Sequence, residues 1–97
     1  MKIDFTKNNA ELIIAIDGRL DTTTAPDLES FLVKNYEGVD FVTFNCENLS
    51  YISSAGLRVL LTAHKRMKGA MKLTNLNELV MEVLEMTGFA DILVIES

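Results

Sequence analysis

Two adjacent hydroxyls, Ser53 and Ser54, stand where a strand-like stretch changes into an apolar, helix-like pattern. A serine becomes a nucleophile when a base lies within hydrogen-bond reach, and the only histidine of the chain is His64. His64 follows Ser54 by ten residues in the same predicted helix, a separation of about 15 Å along the helix axis. The pair therefore cannot act as nucleophile and base, and the Gly-x-Ser-x-Gly motif of serine hydrolases is also absent.

No other stretch of the sequence carries a catalytic or nucleotide-binding motif. Neither Gly-x-x-x-x-Gly-Lys-Ser/Thr nor Gly-x-Gly-x-x-Gly occurs. The one cysteine, Cys46, lies in a strand-like run and is predicted to be a small core residue, and one cysteine with one histidine makes no zinc site. We therefore expect no enzymatic activity, no cofactor and no metal. A single cysteine forms no internal disulfide, which favours a reducing, cytoplasmic location.

Length and charge limit the kinds of partner. The 97 residues, 48% of them hydrophobic, predict one folded domain over residues 1–97. The net charge of −5 argues against nucleic acid, whose backbone is bound by clusters of Lys and Arg. The N-terminus lacks the pattern of a signal peptide, and no apolar run approaches the ~20 residues of a membrane span, so direct membrane insertion is not expected.

Strand-like and helix-like segments alternate along the chain, in the order β-β-α-β-α-β-α-β. This alternation predicts an α/β fold with a mixed, mostly parallel sheet. The second strand is apolar on both alternating sets from Leu12 to Ile16, which predicts cover on both of its faces. The predicted strands are 2–6, 11–20, 40–46, 70–74 and 90–97, and the predicted helical segments are 20–38, 53–69 and 77–88.

Each helical segment contains start or stop signals and an apolar stripe. Thr24 and Asn77 are predicted caps, Pro26 fits a first turn, and Gly38 and Gly88 are predicted stops. The predicted buried stripes are Leu28, Phe31 and Leu32 in the first helix, Leu57, Leu60, Leu61 and His64 in the second, and Leu79, Val80, Val83 and Leu84 in the third.

Polar residues follow the second and third predicted strands. Asp21 to Thr24 and Asn48 to Ser54 should lie at the same edge of the sheet, because parallel strands place their carboxyl ends together. At a helix start, a serine either caps the free N–H groups or accepts a phosphate that those groups tolerate. Gly56 leaves two interpretations open: room for a partner, or tight packing against the third strand.

Three stretches resemble the STAS domain family, and in particular its bacterial anti-sigma factor antagonists. They are "YISSAGLRVLL" at 51–61, "GRLDTTTAPDLESFL" at 18–32 and "LNELVMEVLEMTGFADIL" at 76–93. Together they cover most of the chain in the family's order. The resemblance implies the STAS fold and a role in partner-switching regulation of transcription.

In that family, an anti-sigma factor serine kinase phosphorylates a helix-start serine, the unphosphorylated antagonist binds the kinase, and a metal-dependent serine phosphatase restores the serine. Alignment on Gly56 and Leu57 places the acceptor at Ser54, with Ser53 as second choice, where the family often has Asp. Asp21 matches a recurrent acidic position, and its alternative interpretation is a turn aspartate. The resemblance implies partner-binding residues Asp21, Thr22, Ser53, Ser54, Gly56 and Arg58.

A second hypothesis concerns a different class of protein. STAS-like subunits also accompany membrane transport systems, where the domain acts as an accessory or scaffold and no serine need be phosphorylated.

Overall fold

The helices of the described chain pack against a six-stranded sheet. The structure, a computed structural model, describes residues 1–96, so the last residue of the predicted final strand, Ser97, lies outside the described part. The elements are β1 (Lys2–Asn8), β2 (Glu11–Leu20), α1 (Ala25–Asn35), β3 (Phe41–Asn45), β4 (Leu49–Ile52), α2 (Ser54–Arg66), β5 (Met71–Thr74), α3 (Glu78–Thr87), a 3₁₀ turn (Phe89–Asp91) and β6 (Ile95–Glu96).

The predicted α/β fold with a mixed, mostly parallel sheet is confirmed. The strand order is β1-β2-β3-β5-β6, with β4 also paired to β2. Among the strands of residues 1–96, only β1 and β2 pair antiparallel, and the other pairs are parallel. Helices connect the parallel strands, as short βαβ crossovers require.

The prediction had no strand β4. β3 pairs with the first half of β2, at residues 11–15, and β4 then pairs with its second half, where Arg19 lies opposite Tyr51. The ladder is irregular between Gly18 and Arg19. A strand of four residues with only Leu49 and Ile52 buried gives too short a pattern to be distinguished from a turn.

Strand β2 is fully covered on one face only, so the prediction of two covered faces is wrong. Leu12, Ile14 and Ile16 are buried, whereas Ile13 and Ala15 are half-buried. One hydrophobic cluster joins the buried residues of β2 to the buried faces of all three helices. The other face of the sheet places Ile13 and Ala15 beside polar neighbours on β3, Thr43 and Asn45. Both alternating sets of residues in β2 are apolar, but only the set of Leu12, Ile14 and Ile16 belongs to the core.

The edge strand β1 contacts the helix layer through Phe5. Phe5 pairs with Ile14 across the antiparallel ladder, so the two side chains share a face. The ring of Phe5 meets Phe31 of α1 edge to face, with 5.0 Å between ring centroids. Phe31 is half-buried and lies at the margin of the stripe whose centre is Leu28 and Leu32.

The predicted stop of α3 is confirmed, and the predicted stripes of α2 and α3 are confirmed in part. Gly88 ends α3 in the left-handed conformation at φ 82°, which glycine adopts without strain. Leu57 and Leu60 of α2 are buried, while Leu61 and His64 are half-buried. Leu79 is 51% exposed and does not belong to the buried stripe of α3, because Val80 and Leu84 define the side that faces the sheet.

Two further boundaries differ from the prediction. Helix α1 ends at Asn35, three residues before Gly38, which instead occupies the following turn at φ 75°. The predicted final strand is shorter in the described residues: Phe89–Asp91 form a 3₁₀ turn, and up to residue 96 only Ile95 and Glu96 pair with β5. Leu93 is buried between half-exposed Ile92 and Val94, an alternation that resembled a longer strand.

Asn77 joins the start of α3 to β4. Its side-chain oxygen accepts a hydrogen bond from the backbone N–H of Val80 at 2.7 Å, which confirms the predicted cap. Its Nδ2 donates to the carbonyl of Leu49 at 2.9 Å. The residue therefore satisfies a free donor of the helix and an acceptor of the strand at once.

We predict that Asn77→Ala lowers the free energy of unfolding by about 1–2 kcal/mol, since it removes a helix cap and a second hydrogen bond. Asn77→Asp is the matched control, because it keeps the capping oxygen and loses only the Nδ2 donor, so its loss should be smaller. Urea unfolding followed by circular dichroism measures both. Equal losses in the two variants would contradict the role assigned to the cap.

Candidate functional site

The two polar turns lie side by side at one edge of the sheet, as predicted, although β4 rather than β3 brings them together. Leu20 lies opposite Ile52 at the carboxyl ends of β2 and β4. One residue further on, the N–H of Ser53 donates to the carbonyl of Leu20 at 2.9 Å. The turn that begins at Asp21 and the start of α2 therefore leave the sheet as neighbours.

The two serines differ in burial and in hydrogen bonding. Ser53 is the N-cap of α2, in extended conformation, and its hydroxyl accepts a hydrogen bond from the N–H of Gly56 at 3.4 Å. Ser54 is the first residue of the helix, and its side chain is exposed. Within residues 1–96 the Ser54 hydroxyl makes no hydrogen bond. The cap is thus provided by one serine, and the other hydroxyl is free.

Gly56 is buried, and a side chain there would meet the sheet. A Cβ atom would lie 2.7 Å from Cγ of Leu20 and 2.9 Å from the Leu20 carbonyl oxygen. Of its two interpretations the structure favours packing, with β2 and β4 as the neighbours rather than the third strand as predicted. Because it is buried, Gly56 lies beneath the surface that a partner could touch, and it acts by letting α2 approach β2.

Asp21 organises the turn before α1. Its Oδ1 accepts hydrogen bonds from the hydroxyl of Thr23 at 2.8 Å and from the N–H groups of Thr23 and Thr24 at 3.0 and 3.2 Å. The Thr23 hydroxyl is the largest cause that lowers the pKa of Asp21 from 3.8 to about 2, helped by the backbone N–H bonds. This geometry is that of the turn aspartate.

Thr24 occupies the predicted cap position, yet its hydroxyl makes no capping bond to the helix. The hydroxyl instead accepts from the N–H of Asp21 at 2.8 Å and donates to the carbonyl of Arg19 at 2.8 Å. The prediction of a Thr24 side-chain cap is therefore wrong, because the preceding turn uses that hydroxyl. Pro26 does lie in the first turn of α1, as predicted.

Arg19 and Tyr51 belong to the same edge and were missed in the sequence. The Arg19 guanidinium lies 4.3 Å from the centre of the Tyr51 ring, and its Nε lies 3.6 Å from Oδ2 of Asp21. The two residues meet because they are opposite each other in the β2–β4 ladder. Without β4 in the prediction, nothing in the sequence indicated this contact.

Thr22 and Arg58 both line a groove between the N-terminal parts of α1 and α2. We call it the α1–α2 groove. Its volume is about 200 Å³. A second cleft, of about 110 Å³, continues between the same helices past Tyr36 and Arg66. The residues that line the α1–α2 groove are Thr22, Ala25, Pro26, Glu29, Ala55, Arg58 and Val59.

The structure also places the thiol of Cys46 and the side chains that could bind a metal ion. Burial raises the pKa of the Cys46 thiol to about 12, so it stays protonated and inert at neutral pH. Among residues 1–96, no three His, Cys, Asp or Glu side chains are grouped to hold a metal ion. None of the helices in that part is both long and apolar enough to span a bilayer.

The lowered pKa of Asp21 predicts a specific pH dependence of stability. A carboxyl whose pKa falls from 3.8 to about 2 on folding stabilises the fold fully above pH 3.8, and this contribution disappears as the pH falls towards 2. Asp21→Asn keeps the shape and one acceptor oxygen but cannot titrate. We expect the variant to be less stable than the native protein at pH 7, and we expect this difference to shrink steadily as the pH falls from 3.8 to 2.

Urea midpoints measured from pH 7 to pH 2 test this prediction. Asp27→Asn is the control, since it removes a carboxylate from the first turn of α1 that accepts no hydrogen bond from the described residues. A gap between native protein and Asp21→Asn that stays constant with pH would contradict the assignment.

The chain matches the STAS domain family over residues 2–97. It is 30% identical over 96 residues to the anti-sigma-B factor antagonist of Bacillus subtilis (strain 168), covering 96% of this chain and 88% of the relative. It is 35% identical over 96 residues to BtrV of Bordetella bronchiseptica, a candidate anti-sigma factor antagonist, covering 95% of this chain and 83% of the relative.

A solved structure shows the same fold at low sequence identity. It is that of the Bacillus cell fate determinant SpoIIAA in its phosphorylated form, with a TM-score of 0.74 and 16% identity. The alignment covers 99% of this chain and 92% of that one. The family match over nearly the whole chain, the identity to both relatives and the shared fold show that this chain belongs to the STAS domain family.

Proposed function

We propose that this protein is an anti-sigma factor antagonist that binds an anti-sigma factor serine kinase and is released from it by phosphorylation of Ser54. The observation that carries the proposal is the free, exposed hydroxyl of Ser54 at the start of α2. Two relatives carry antagonist names, one of them as a candidate, and SpoIIAA has a phosphorylated form. The proposed consequence is partner-switching control of transcription.

Ser54 is the better acceptor of the two serines. The Ser53 hydroxyl is half-buried and bonded to the first turn of the helix, so its modification would cost α2 its cap. A kinase reaches Ser54 without disturbing any hydrogen bond of the described chain. The kinase transfers the γ-phosphoryl group of ATP to Ser54 Oγ, releasing ADP and a proton, and a metal-dependent serine phosphatase hydrolyses the ester.

The switch follows from charge at a contact that excludes water. Unmodified Ser54 is small and neutral, so the partner packs over it and over Thr22 and Arg58 at the groove. A phosphate adds about −1.5 to −2 charges at neutral pH. An unpaired charge buried in an interface is costly, so the complex dissociates while the helix itself tolerates the charge at its N-terminus. In this mechanism the chain supplies a substrate hydroxyl and a binding surface, and all catalysis belongs to its partners.

We predict that Ser54 is the residue that accepts the phosphate. Incubation with the anti-sigma kinase of the same organism and ATP should place one phosphate on Ser54, mapped by mass spectrometry. Ser53→Ala should still be labelled, because its free neighbour is intact, whereas Ser54→Ala should not. Phosphate found mainly on Ser53, or on neither serine, would refute the assignment.

We also predict that Ser54→Asp affects kinase binding without lowering the stability of the fold. Ser54→Asp should leave stability unchanged or raise it by about 0.3–1 kcal/mol, since a carboxylate is favourable at a helix N-terminus. The same charge should weaken kinase binding by about 100-fold or more, because it is desolvated without a partner in the complex. Ser54→Ala should bind constitutively. Thermal unfolding and calorimetric titration with the kinase measure the two effects.

A control places the same charge elsewhere. Ser30→Asp introduces a carboxylate at an exposed position of α1 that does not line the α1–α2 groove, and it should bind the kinase as the native protein does. Ser54→Asp that binds as tightly as the native protein, or that loses binding only because it unfolds, would show the electrostatic mechanism to be wrong.

A further inference from the structure

Arg58 is a free cation one helical turn after Ser54. Both side chains are exposed, and Arg58 is the only basic residue in the first two turns of α2. Its guanidinium lies within 4.0 Å of no carboxylate in residues 1–96, where the ion pairs involve other residues. Glu29 lines the same α1–α2 groove but is not paired with it. The positive charge of Arg58 therefore has no carboxylate partner within residues 1–96 of the unmodified protein.

The spacing of Ser54 and Arg58 suits an ion pair along the helix. Residues four apart lie on the same face with about 5–6 Å between Cβ atoms, and the favourable order has the anion nearer the N-terminus. A guanidinium donates two parallel hydrogen bonds to phosphate, a geometry that lysine lacks. An unmodified serine cannot use this arrangement, whereas a phosphoserine at position 54 can.

We infer that Arg58 binds the phosphate group of phosphorylated Ser54 and, in doing so, leaves the α1–α2 groove. The inference rests on the proposed function for the origin of the phosphate. Glu29 competes for the same guanidinium, but it carries one negative charge and lies on another helix, while the phosphate carries nearly two on the same turn. The modified serine therefore takes Arg58 from the groove.

This pairing gives Arg58 a different contact in each state of the protein. With Ser54 unmodified, the guanidinium faces the groove beside Thr22 and Glu29 and is free to meet an acidic group of the partner. With Ser54 phosphorylated, it bonds to the phosphate one turn away. The partner then meets an added phosphate and also loses a cation, and neither change requires α2 to move.

The test uses protein with phosphoserine genetically encoded at position 54, so that no kinase is needed. Pairing with a guanidinium stabilises the dianion and lowers the second pKa of the phosphate, which phosphorus NMR measures directly. Phosphorylated native protein should show a pKa lower by about 0.3 unit or more than phosphorylated Arg58→Gln. Arg58→Lys should fall between them, because it keeps the charge without the paired donors.

Lys65→Gln is the matched control, since it removes an exposed positive charge from the last turn of the same helix. Its phosphate should titrate as in the native protein. Equal pKa values in native protein and Arg58→Gln would overturn the inference, and so would a Lys65→Gln shift as large as that of Arg58→Gln. Matching thermal unfolding curves show that the variants remain folded.

The two proposals fail in different ways. If the kinase labels Ser54 but Arg58→Gln leaves the phosphate pKa unchanged, the proposed function survives and the role of Arg58 does not. If the kinase labels neither serine but Arg58→Gln raises the pKa in encoded phosphoprotein, Arg58 is shown to bind phosphate at position 54 and the proposed function is refuted.

Discussion

The close approach of α2 to the end of β2 is the constraint on which the functional edge depends. Any side chain at position 56 would place its Cβ within 2.7 Å of Leu20, so glycine is needed for this approach. The Ser53 N–H can then reach the Leu20 carbonyl, and α2 begins directly beside the turn of Asp21. The position of Ser54 is therefore fixed by the backbone and does not depend on long side chains.

A network of hydrogen bonds surrounds the exposed Ser54 hydroxyl at this edge of the sheet. Asp21, Thr23 and Thr24 bond to one another and to the backbone, and Ser53 closes the first turn of α2. The Ser54 hydroxyl makes no hydrogen bond within residues 1–96. Ser53 therefore stabilises the helix start, while Ser54 can be modified without loss of a hydrogen bond. A charge added at Ser54 alters the surface while the hydrogen bonds beneath it remain in place.

The sequence predicted the helices, the stop of α3 at Gly88 and the shared edge, because these follow from local signals and from the parallel connection of strands. It did not predict β4, whose four residues carry too little pattern, nor the single covered face of β2, since Ile13 and Ala15 are apolar whether or not a helix covers them. It also assigned the Thr24 hydroxyl to the wrong partner and left two interpretations open for Asp21, because several hydroxyls in a row compete for the same donors. Phosphorylation and the partners stay predictions.

The distance of His64 from the start of α2 has a consequence for how long a signal lasts. Phosphate monoesters are among the slowest of all biological compounds to hydrolyse unaided. Ser54 lies in the first turn of α2 and His64 in the last, so the chain's one imidazole cannot speed that hydrolysis. Under the proposed function, each phosphorylated molecule would then stay phosphorylated until an external phosphatase hydrolysed the ester, so the signal would last as long as the phosphatase allows.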